Sequence, residues 1–183
     1  MNGIKAKRRK NLRGKSPLSG DAAPGSQRLD RISWHLLELL QSDARATFAE
    51  LGRRVGLSTP AVAERVKKLE ESGVILGYHA QINPFKVGVA MQVIIRLAIE
   101  GGEPRVRELL KAVTQMPEIV HCHRVTGEDG FIFLADIMSI QHLSRLLERM
   151  FHFGRTSTMT VLSTVETRRN YVLEDLEALS RET

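Results

Sequence analysis

The side chains best suited to binding chemistry lie in residues 58–73, which the sequence predicts to form one helix. Ser58 is a favourable N-cap, Pro60 falls in the first turn, where a missing N–H costs nothing, and Gly73 can take the left-handed conformation that ends a helix. One side of this helix is apolar and consists of Val62, Val66 and Leu69. The other side is mostly charged and consists of Pro60, Glu64, Lys67 and Lys68, with Arg65 on the flank. Such a helix can pack on its own domain while its cationic side faces an anion.

A second predicted helix lies directly upstream. Residues 47–50, Thr-Phe-Ala-Glu, match the capping-box pattern, and the helix runs to about Val55. Gly56-Leu57 leaves a turn of only a few residues, which is typical of a helix-turn-helix, whose second helix fits the major groove of DNA. From spacing alone, an ordinary αα-hairpin inside a core is an equal alternative.

If this pair of helices binds DNA, the residues nearest the duplex can be predicted. The N-terminus of the second helix offers free N–H groups and a positive dipole end to a phosphate. We expect Ser58, Thr59 and Pro60 to lie near the groove. Cationic contacts are expected from Arg65, Lys67 and Lys68, and backbone contacts from Arg53 or Arg54. Glu64 is better explained by pairing with a nearby lysine than by accepting from a cytosine amino group.

Composition excludes several classes of protein. Of 183 residues 42% are hydrophobic, and no apolar run approaches the ~18 residues of a membrane span. No signal-peptide pattern follows the basic N-terminus. Cys122 is the only cysteine, so intrachain disulfides are impossible and a reducing compartment is indicated. We therefore expect a cytoplasmic protein without a membrane partner, and a nucleoid-associated one if its pair of helices binds DNA.

The net charge of +6 is concentrated at one end of the chain. Residues 1–28 hold eight lysines and arginines and one aspartate, with almost no apolar side chains to bury. They predict a disordered basic arm, which would add salt-sensitive, sequence-independent affinity for nucleic acid. The alternative is a solvated extension without a role in binding.

The rest of the chain predicts an α+β protein with two domains. The expected organisation is a winged helix-turn-helix domain over residues 29–82, a hinge over 83–88, a ferredoxin-like βαββαβ domain over 89–168, and a C-terminal helix over 169–183. In the first domain, a helix is expected over 29–41, with Asp30 or Ser33 as its cap, and a short β-prone wing is expected over 74–82.

In the second domain the apolar period alternates between that of strands and that of helices. Strands are expected at 89–99, 119–126, 131–138 and 156–167, and helices at 104–116 and 139–151. One sheet with helices on a single side leaves its other face bare. Because that face is partly apolar, we expect a second copy of the chain to cover it.

The sequence His121-Cys122-His123 raises the question of a metal site. On a strand the two histidines share one face and the cysteine points to the other, so three ligands cannot converge. We therefore expect neither a metal nor a cofactor.

Three stretches resemble the Lrp/AsnC (leucine-responsive regulatory protein, feast/famine) family of transcription regulators, over about residues 29–166. Residues 57–75 resemble its recognition helix, residues 122–129 the turn that opens its ligand site, and residues 154–163 its last strand. The resemblance implies a sequence-specific regulator of double-stranded DNA whose affinity or assembly is modulated by an effector, commonly an amino acid or related small metabolite. It also implies a homodimer, often assembled further into tetramers or octamers.

The resemblance places the effector near residues 126–130. Backbone N–H groups of this turn can hold a carboxylate while Asp129 meets an ammonium, the pairing that an amino acid demands. The alternative is a plain hairpin turn with solvated acids. Many family members carry an acidic residue or a cysteine where this chain has Gly130, so ligand identity does not transfer, and a chain without effector response is an alternative. The expected effector-site residues are Thr126, Gly127, Glu128, Asp129 and Gly130.

Two other functions are compatible with parts of the sequence. Some tetrapyrrole decarboxylases resemble this family in architecture and use histidines. Because of His121 and His123, an enzyme of that kind is an alternative. The cationic helix and the basic arm would have no purpose in such an enzyme. A nucleoid-type architectural protein would instead wrap DNA without an effector. Since no nucleophile–base pair or phosphate-binding glycine loop is recognisable, we expect a regulator rather than an enzyme.

Overall fold

The computed structural model describes residues 29–165 and 170–181 and divides them into two compact units. The first unit comprises residues 29–78 together with 170–181, and the second comprises residues 79–165. The predicted basic arm at residues 1–28 lies outside the described residues. No helix in the described parts of the chain has both the length and the apolar character needed to cross a bilayer.

Three helices form the body of the first unit, namely α1 (Arg31–Ser42), α2 (Phe48–Val55) and α3 (Thr59–Glu71). Each has an apolar stripe, and the stripes meet because burying them removes hydrocarbon surface from water. The common core consists of Leu36, Leu40, Leu51, Val62 and Val66.

The helix starts predicted from the sequence are present. The side chains of Asp30, Thr47 and Ser58 each accept a hydrogen bond from a backbone N–H of the first turn. The carboxylate of Glu50 in turn accepts a hydrogen bond from the N–H of Thr47 at 2.8 Å, which completes the capping box. These caps satisfy N–H groups that have no partner inside a helix, and they set where α1, α2 and α3 begin.

The turn between α2 and α3 depends on a close approach of two backbone segments. Gly52 is buried, and a Cβ at this position would lie 2.5 Å from the carbonyl oxygen of Leu57. The N–H of Leu57 donates to the carbonyl oxygen of Gly52 at 2.9 Å, and Gly56 between them has a left-handed φ of 70°. Since any larger side chain at position 52 would push the turn away, this contact fixes the direction of α3 relative to α2.

The segment after α3 differs from the predicted wing. Residues 74–83 contain no strand, and a single 3-10 turn follows at Pro84–Val87. A strand needs a hydrogen-bonded neighbour, and every strand in the described chain belongs to the sheet of the second unit. Leu76 and Ile82 accordingly stay exposed. The apolar pattern of this segment was readable from the sequence, but the absence of a pairing partner was not.

The second unit confirms the ferredoxin-like βαββαβ order. Its elements are β1 (Met91–Ile99), α4 (Gly102–Val113), β2 (Ile119–Arg124), β3 (Phe131–Ile137), α5 (Ile140–Phe151) and β4 (Gly154–Thr160). The strands form one antiparallel sheet in the order β2-β3-β1-β4. The last strand is shorter than predicted: its paired residues end with Val93–Thr160, and the last backbone bond to β1 runs from the N–H of Val161 to the carbonyl oxygen of Gln92 at 2.9 Å.

The sheet has one closed and one open face. Alternate residues of β1 and β3 are buried against α4 and α5, and the resulting core includes Val93, Ile95, Leu97, Phe131, Phe133, Leu109, Leu146 and Met150. The intervening residues point to the open face, which carries Ile94, Arg96, Ile132 and Leu134, flanked by His121, His123 and Met159. This face is partly apolar, as predicted.

The last helix, α6 (Leu173–Arg181), belongs to the first unit, whereas the sequence predicted a separate C-terminal element. The side chain of Gln41, at the end of α1, holds the backbone of Tyr171: its Nε2 donates to the carbonyl oxygen at 3.0 Å and its Oε1 accepts from the N–H at 2.7 Å. Leu173 and Glu177 of α6 line a groove together with Trp34 of α1.

We predict that Gly52→Ala destabilises the first unit. Alanine in a helix normally stabilises by about 1 kcal/mol over glycine, but here its Cβ would meet a backbone oxygen, and overpacking of this kind costs about 1–3 kcal/mol. The measurement is urea unfolding followed by the fluorescence of Trp34, the only tryptophan. The control is Gly56→Ala, which has open space but a left-handed φ. Unchanged or raised stability in Gly52→Ala would show that the turn accommodates the added Cβ and that the contact with Leu57 does not fix it.

We also predict that Gln41→Ala loosens α6. The variant removes both hydrogen bonds to Tyr171, each worth about 0.5–1.5 kcal/mol. Because Trp34 lines the groove against α6, its emission should shift to longer wavelength, towards that of indole in water. Gln115→Ala removes an exposed amide from the second unit and should leave the spectrum unchanged. An unshifted spectrum in Gln41→Ala would mean that apolar packing alone holds α6.

Candidate nucleic-acid interface and effector turn

The exposed face of α3 carries the lysines predicted to contact DNA. Lys67 pairs with Glu71 at 3.5 Å and Lys68 with Glu64 at 2.8 Å, and the side chains of both lysines are about 70% exposed. Glu64 therefore takes the lysine-paired role favoured from the sequence, and the hydrogen bond from Lys68 lowers its pKa. Exposed pairs of this kind contribute only ~0.2–1 kcal/mol, so both lysines can exchange a glutamate for a phosphate at little cost.

The start of α3 is also accessible. Ser58 caps the helix through its Oγ, which accepts from the N–H of Ala61 at 3.4 Å, and Thr59 and Pro60 are exposed beside it. Arg53 and Arg54 are exposed in the last turn of α2. The structure therefore places these five predicted residues and the two lysines within one helical hairpin and in contact with solvent. Their contacts with DNA stay a prediction.

Arg65 has a different environment from the lysines. Its Nη1 lies 2.7 Å from Oδ2 of Asp30 and 3.2 Å from Oγ of Ser33, so it ties α3 to the beginning of α1. The sequence identified Asp30 as a possible cap but gave no signal that it pairs with Arg65. The geometry indicates a role in orienting α3, and a direct contact of Arg65 with DNA stays a prediction.

Asp30 is the most perturbed acid of this interface. Hydrogen bonds from the side chain and backbone of Ser33, assisted by the guanidinium of Arg65, lower the pKa of Asp30 from 3.8 to about 2. The carboxylate thus stays ionised over all ordinary pH values, and it caps α1 and holds Arg65 simultaneously.

The predicted effector turn, residues 126–130, is closed by two backbone hydrogen bonds. The N–H of Val125 donates to the carbonyl oxygen of Gly130 at 2.9 Å, and the N–H of Phe131 donates to that of Asp129 at 2.8 Å. Gly130 has a φ of 70°, a conformation in which an acidic side chain or a cysteine would be strained. Thr126, Gly127 and Glu128 are exposed, while Asp129 contacts Arg96 of β1 at 3.1 Å.

The histidine pair lies on the open face of the sheet. The rings of His121 and His123 are stacked with their centroids 6.0 Å apart, whereas Cys122 packs against the core on the other face. Burial raises the pKa of the Cys122 thiol to about 11. The three side chains therefore do not converge, and among the described residues no three His, Cys, Asp or Glu side chains form a metal-binding group.

A buried charge cluster in the second unit was not found from the sequence. Glu118 is buried at the start of β2 and contacts Arg149 and His142 of α5, the latter at 3.4 Å. Burial opposes ionisation of Glu118, but a hydrogen bond to its own backbone and the charge of Arg149 outweigh this, and its pKa is lowered. The cluster anchors α5 to β2. A glutamate next to Pro117 gives no local signal of burial, because the partners come from a distant helix.

The pKa of Asp30 leads to a prediction about pH. Asp30→Asn keeps an N-cap acceptor but removes the charge that binds Arg65, and this should cost about 0.5–1 kcal/mol near neutral pH, since the pair is partly exposed. The pKa in the folded state lies below the unfolded value of 3.8, so the contribution of the charge is present above that value and is lost as the pH falls towards 2.

The measurement is urea unfolding of wild type and variant as a function of pH, followed by Trp34 fluorescence. The difference between the two proteins should close between about pH 4 and pH 2. A difference that persists at the acid end would show that Asp30 acts through packing rather than through its charge.

Comparison with known proteins agrees with this arrangement of two units. Residues 29–70, which include α1, α2 and nearly all of α3, match the model of the AsnC-type helix-turn-helix domain. Residues 92–171, which include the turn at 126–130, match the model of the Lrp/AsnC ligand binding domain.

Relatives and solved structures with this organisation are transcriptional regulators. The leucine-responsive regulatory protein of Serratia marcescens is 32% identical over 165 residues, which span 90% of this chain and 96% of that protein. The crystal structure of the Mycobacterium tuberculosis leucine response regulatory protein, LrpA, superimposes with a TM-score of 0.70 at 32% identity and covers 79% of this chain and 99% of its own. A transcriptional regulator of Neisseria meningitidis, solved in complex with L-Met, gives a TM-score of 0.73 at 26% identity and covers 81% and 99% of the two chains. The chain thus belongs to the Lrp/AsnC family of transcription regulators.

Proposed function

We propose that this regulator binds double-stranded DNA in a sequence-specific manner through α3, and that a small-molecule effector at residues 126–130 modulates its DNA affinity or its assembly. The observation that carries the proposal is the exposed face of α3, where Lys67 and Lys68 are held only by weak surface pairs beside an accessible helix N-terminus. No catalytic step and no cofactor are part of the proposal.

The effector is proposed to be an amino acid or a related small metabolite. The turn supports this because it combines backbone N–H groups with the carboxylate of Asp129 and because it lies inside the matched ligand binding domain. The regulator solved with L-Met is a relative whose ligand belongs to this chemical class.

A homodimer formed through the open face of the sheet is the proposed unit of assembly. Ile94, Ile132 and Leu134 lie on this face, which neither α4 nor α5 covers. An identical face on a second copy of the chain can bury these apolar residues, and the contact between two identical faces is closed and twofold. Further association into tetramers or octamers and a cytoplasmic, nucleoid-associated location complete the proposal.

The first experiment is recovery of random genomic DNA fragments by the full chain, followed by sequencing, with and without pooled amino acids. We expect enrichment of a shared palindrome whose recovery changes with one amino acid. Uniform recovery of all fragments, indifferent to every ligand, would contradict sequence-specific regulation and favour architectural binding.

The role of α3 is tested by Lys67→Ala combined with Lys68→Ala. Loss of two phosphate contacts should weaken binding to the enriched site at least about tenfold and reduce the salt dependence of log K by about 2. The control, Arg107→Ala with Lys111→Ala, removes two exposed helical cations from α4 in the second unit and should leave binding unchanged. Equal effects of the two double variants would show that only net charge matters, and unaltered binding in the first would remove α3 from the interface.

A further inference from the structure

The effector turn has a charged neighbour on another strand. Arg96 lies on β1 and points to the open face, with its Nε 3.1 Å from Oδ2 of Asp129. The two are distant in sequence but meet because β1 and β3 pair antiparallel, with Leu97 opposite Phe131. This register brings the second half of β1 beside the turn that precedes β3.

Three features make this ion pair more than a surface contact. The side chains of Arg96 and Asp129 are 45% and 33% exposed, so water screens the pair and it opens at little cost. The N–H groups of Thr126, Gly127 and Glu128 take part in no backbone–backbone hydrogen bond within the described residues, so they remain able to donate. Of the two carboxylates in the turn, Glu128 is exposed and Asp129 is the one paired with Arg96.

We propose that Arg96 is the carboxylate-binding residue of the effector site, and that the effector enters by separating Arg96 from Asp129, which then receives its ammonium group. This inference rests on the proposed function, because it assigns a ligand class to the same turn. A guanidinium is the side chain best suited to a carboxylate, since it can donate two parallel hydrogen bonds.

Charge balance defines the class of ligand. The site contains one internal ion pair, Arg96 with Asp129, and a zwitterion that inserts between the two side chains replaces it with two ion pairs. A ligand that is only an amine would leave Arg96 without a partner, and a ligand that is only an acid would do the same to Asp129. The Arg96–Asp129 pair thus selects α-amino acids over both simpler classes, independently of the side chain of the ligand.

The test is a cycle that alters the protein and the ligand in parallel. The proteinogenic L-amino acids are first screened by calorimetry against the wild-type chain. The amino acid that binds is then compared with its decarboxylated amine and with its 2-oxo acid. We expect each analogue to bind wild type at least about tenfold more weakly, which corresponds to ~1.4 kcal/mol.

The variants should lose this discrimination selectively. Arg96→Gln should bind the amino acid about tenfold more weakly but should accept the amine as well as the amino acid. Asp129→Asn should show the reverse pattern and accept the 2-oxo acid as well as the amino acid. Arg105→Gln is the matched control, because Arg105 forms a similarly exposed pair with Glu108, at 3.0 Å, on α4 and away from the turn. It should behave as wild type.

Several outcomes would overturn the inference. Wild-type affinity in Arg96→Gln, or unchanged discrimination against the amine, would remove Arg96 from the site. If a single variant fails to fold by circular dichroism, Arg96→Gln combined with Asp129→Asn leaves no unpaired charge, and this double variant should lose discrimination against both analogues. Failure of every amino acid to bind wild type would also refute the inference, whereas DNA recovery and its loss in the α3 lysine variant test the DNA-binding proposal separately.

Discussion

The arrangement of the DNA-binding unit depends on the approach of Gly52 to Leu57, where only a hydrogen atom fits between the α2 backbone and the turn. This contact fixes one side of α3, and the bridge from Arg65 to Asp30 and Ser33 fixes another against α1. With Val62 and Val66 in the core, α3 has little freedom to rotate. The side chains left on its free face are therefore determined by packing, and it is this face that carries Lys67 and Lys68.

Side chains alternate along the strands of the second unit, so each strand contributes to two different surfaces. One set of residues of β1 and β3 builds the core against α4 and α5, and the other set forms the open face. Arg96 belongs to the open face, as do Ile94 and Ile132. A partner that covers this face and an effector that opens the pair of Arg96 with Asp129 would thus act on adjoining surface. Ligand binding and assembly would then be coupled directly, because Arg96 takes part in both.

Much of this structure follows from local signals. Caps at Thr47 and Ser58 and the period of the apolar residues predicted the helical hairpin, and the change of period predicted the βαββαβ unit. What the sequence did not reveal involves partners far apart in the chain: Arg65 with Asp30, Glu118 with Arg149, Arg96 with Asp129, and Gln41 with Tyr171. The segment at residues 74–83 is the converse case, since its side chains suit a strand but no neighbouring strand is present to pair with it. Local pattern favours a type of element, but a strand forms only where the tertiary structure supplies a neighbouring strand.

The attachment of α6 to α1 makes the DNA-binding unit discontinuous in sequence. Its three-helix body is translated before the second unit, and the groove beside Trp34 is closed only when residues 170–181 have been synthesised. Domains generally fold as units in the order of their synthesis. The second unit therefore emerges from the ribosome while α1 still lacks its covering helix. A chain interrupted within the second unit would leave exposed the surface of α1 that α6 covers. The first unit is therefore completed only after the second unit, which lies between its two parts in sequence.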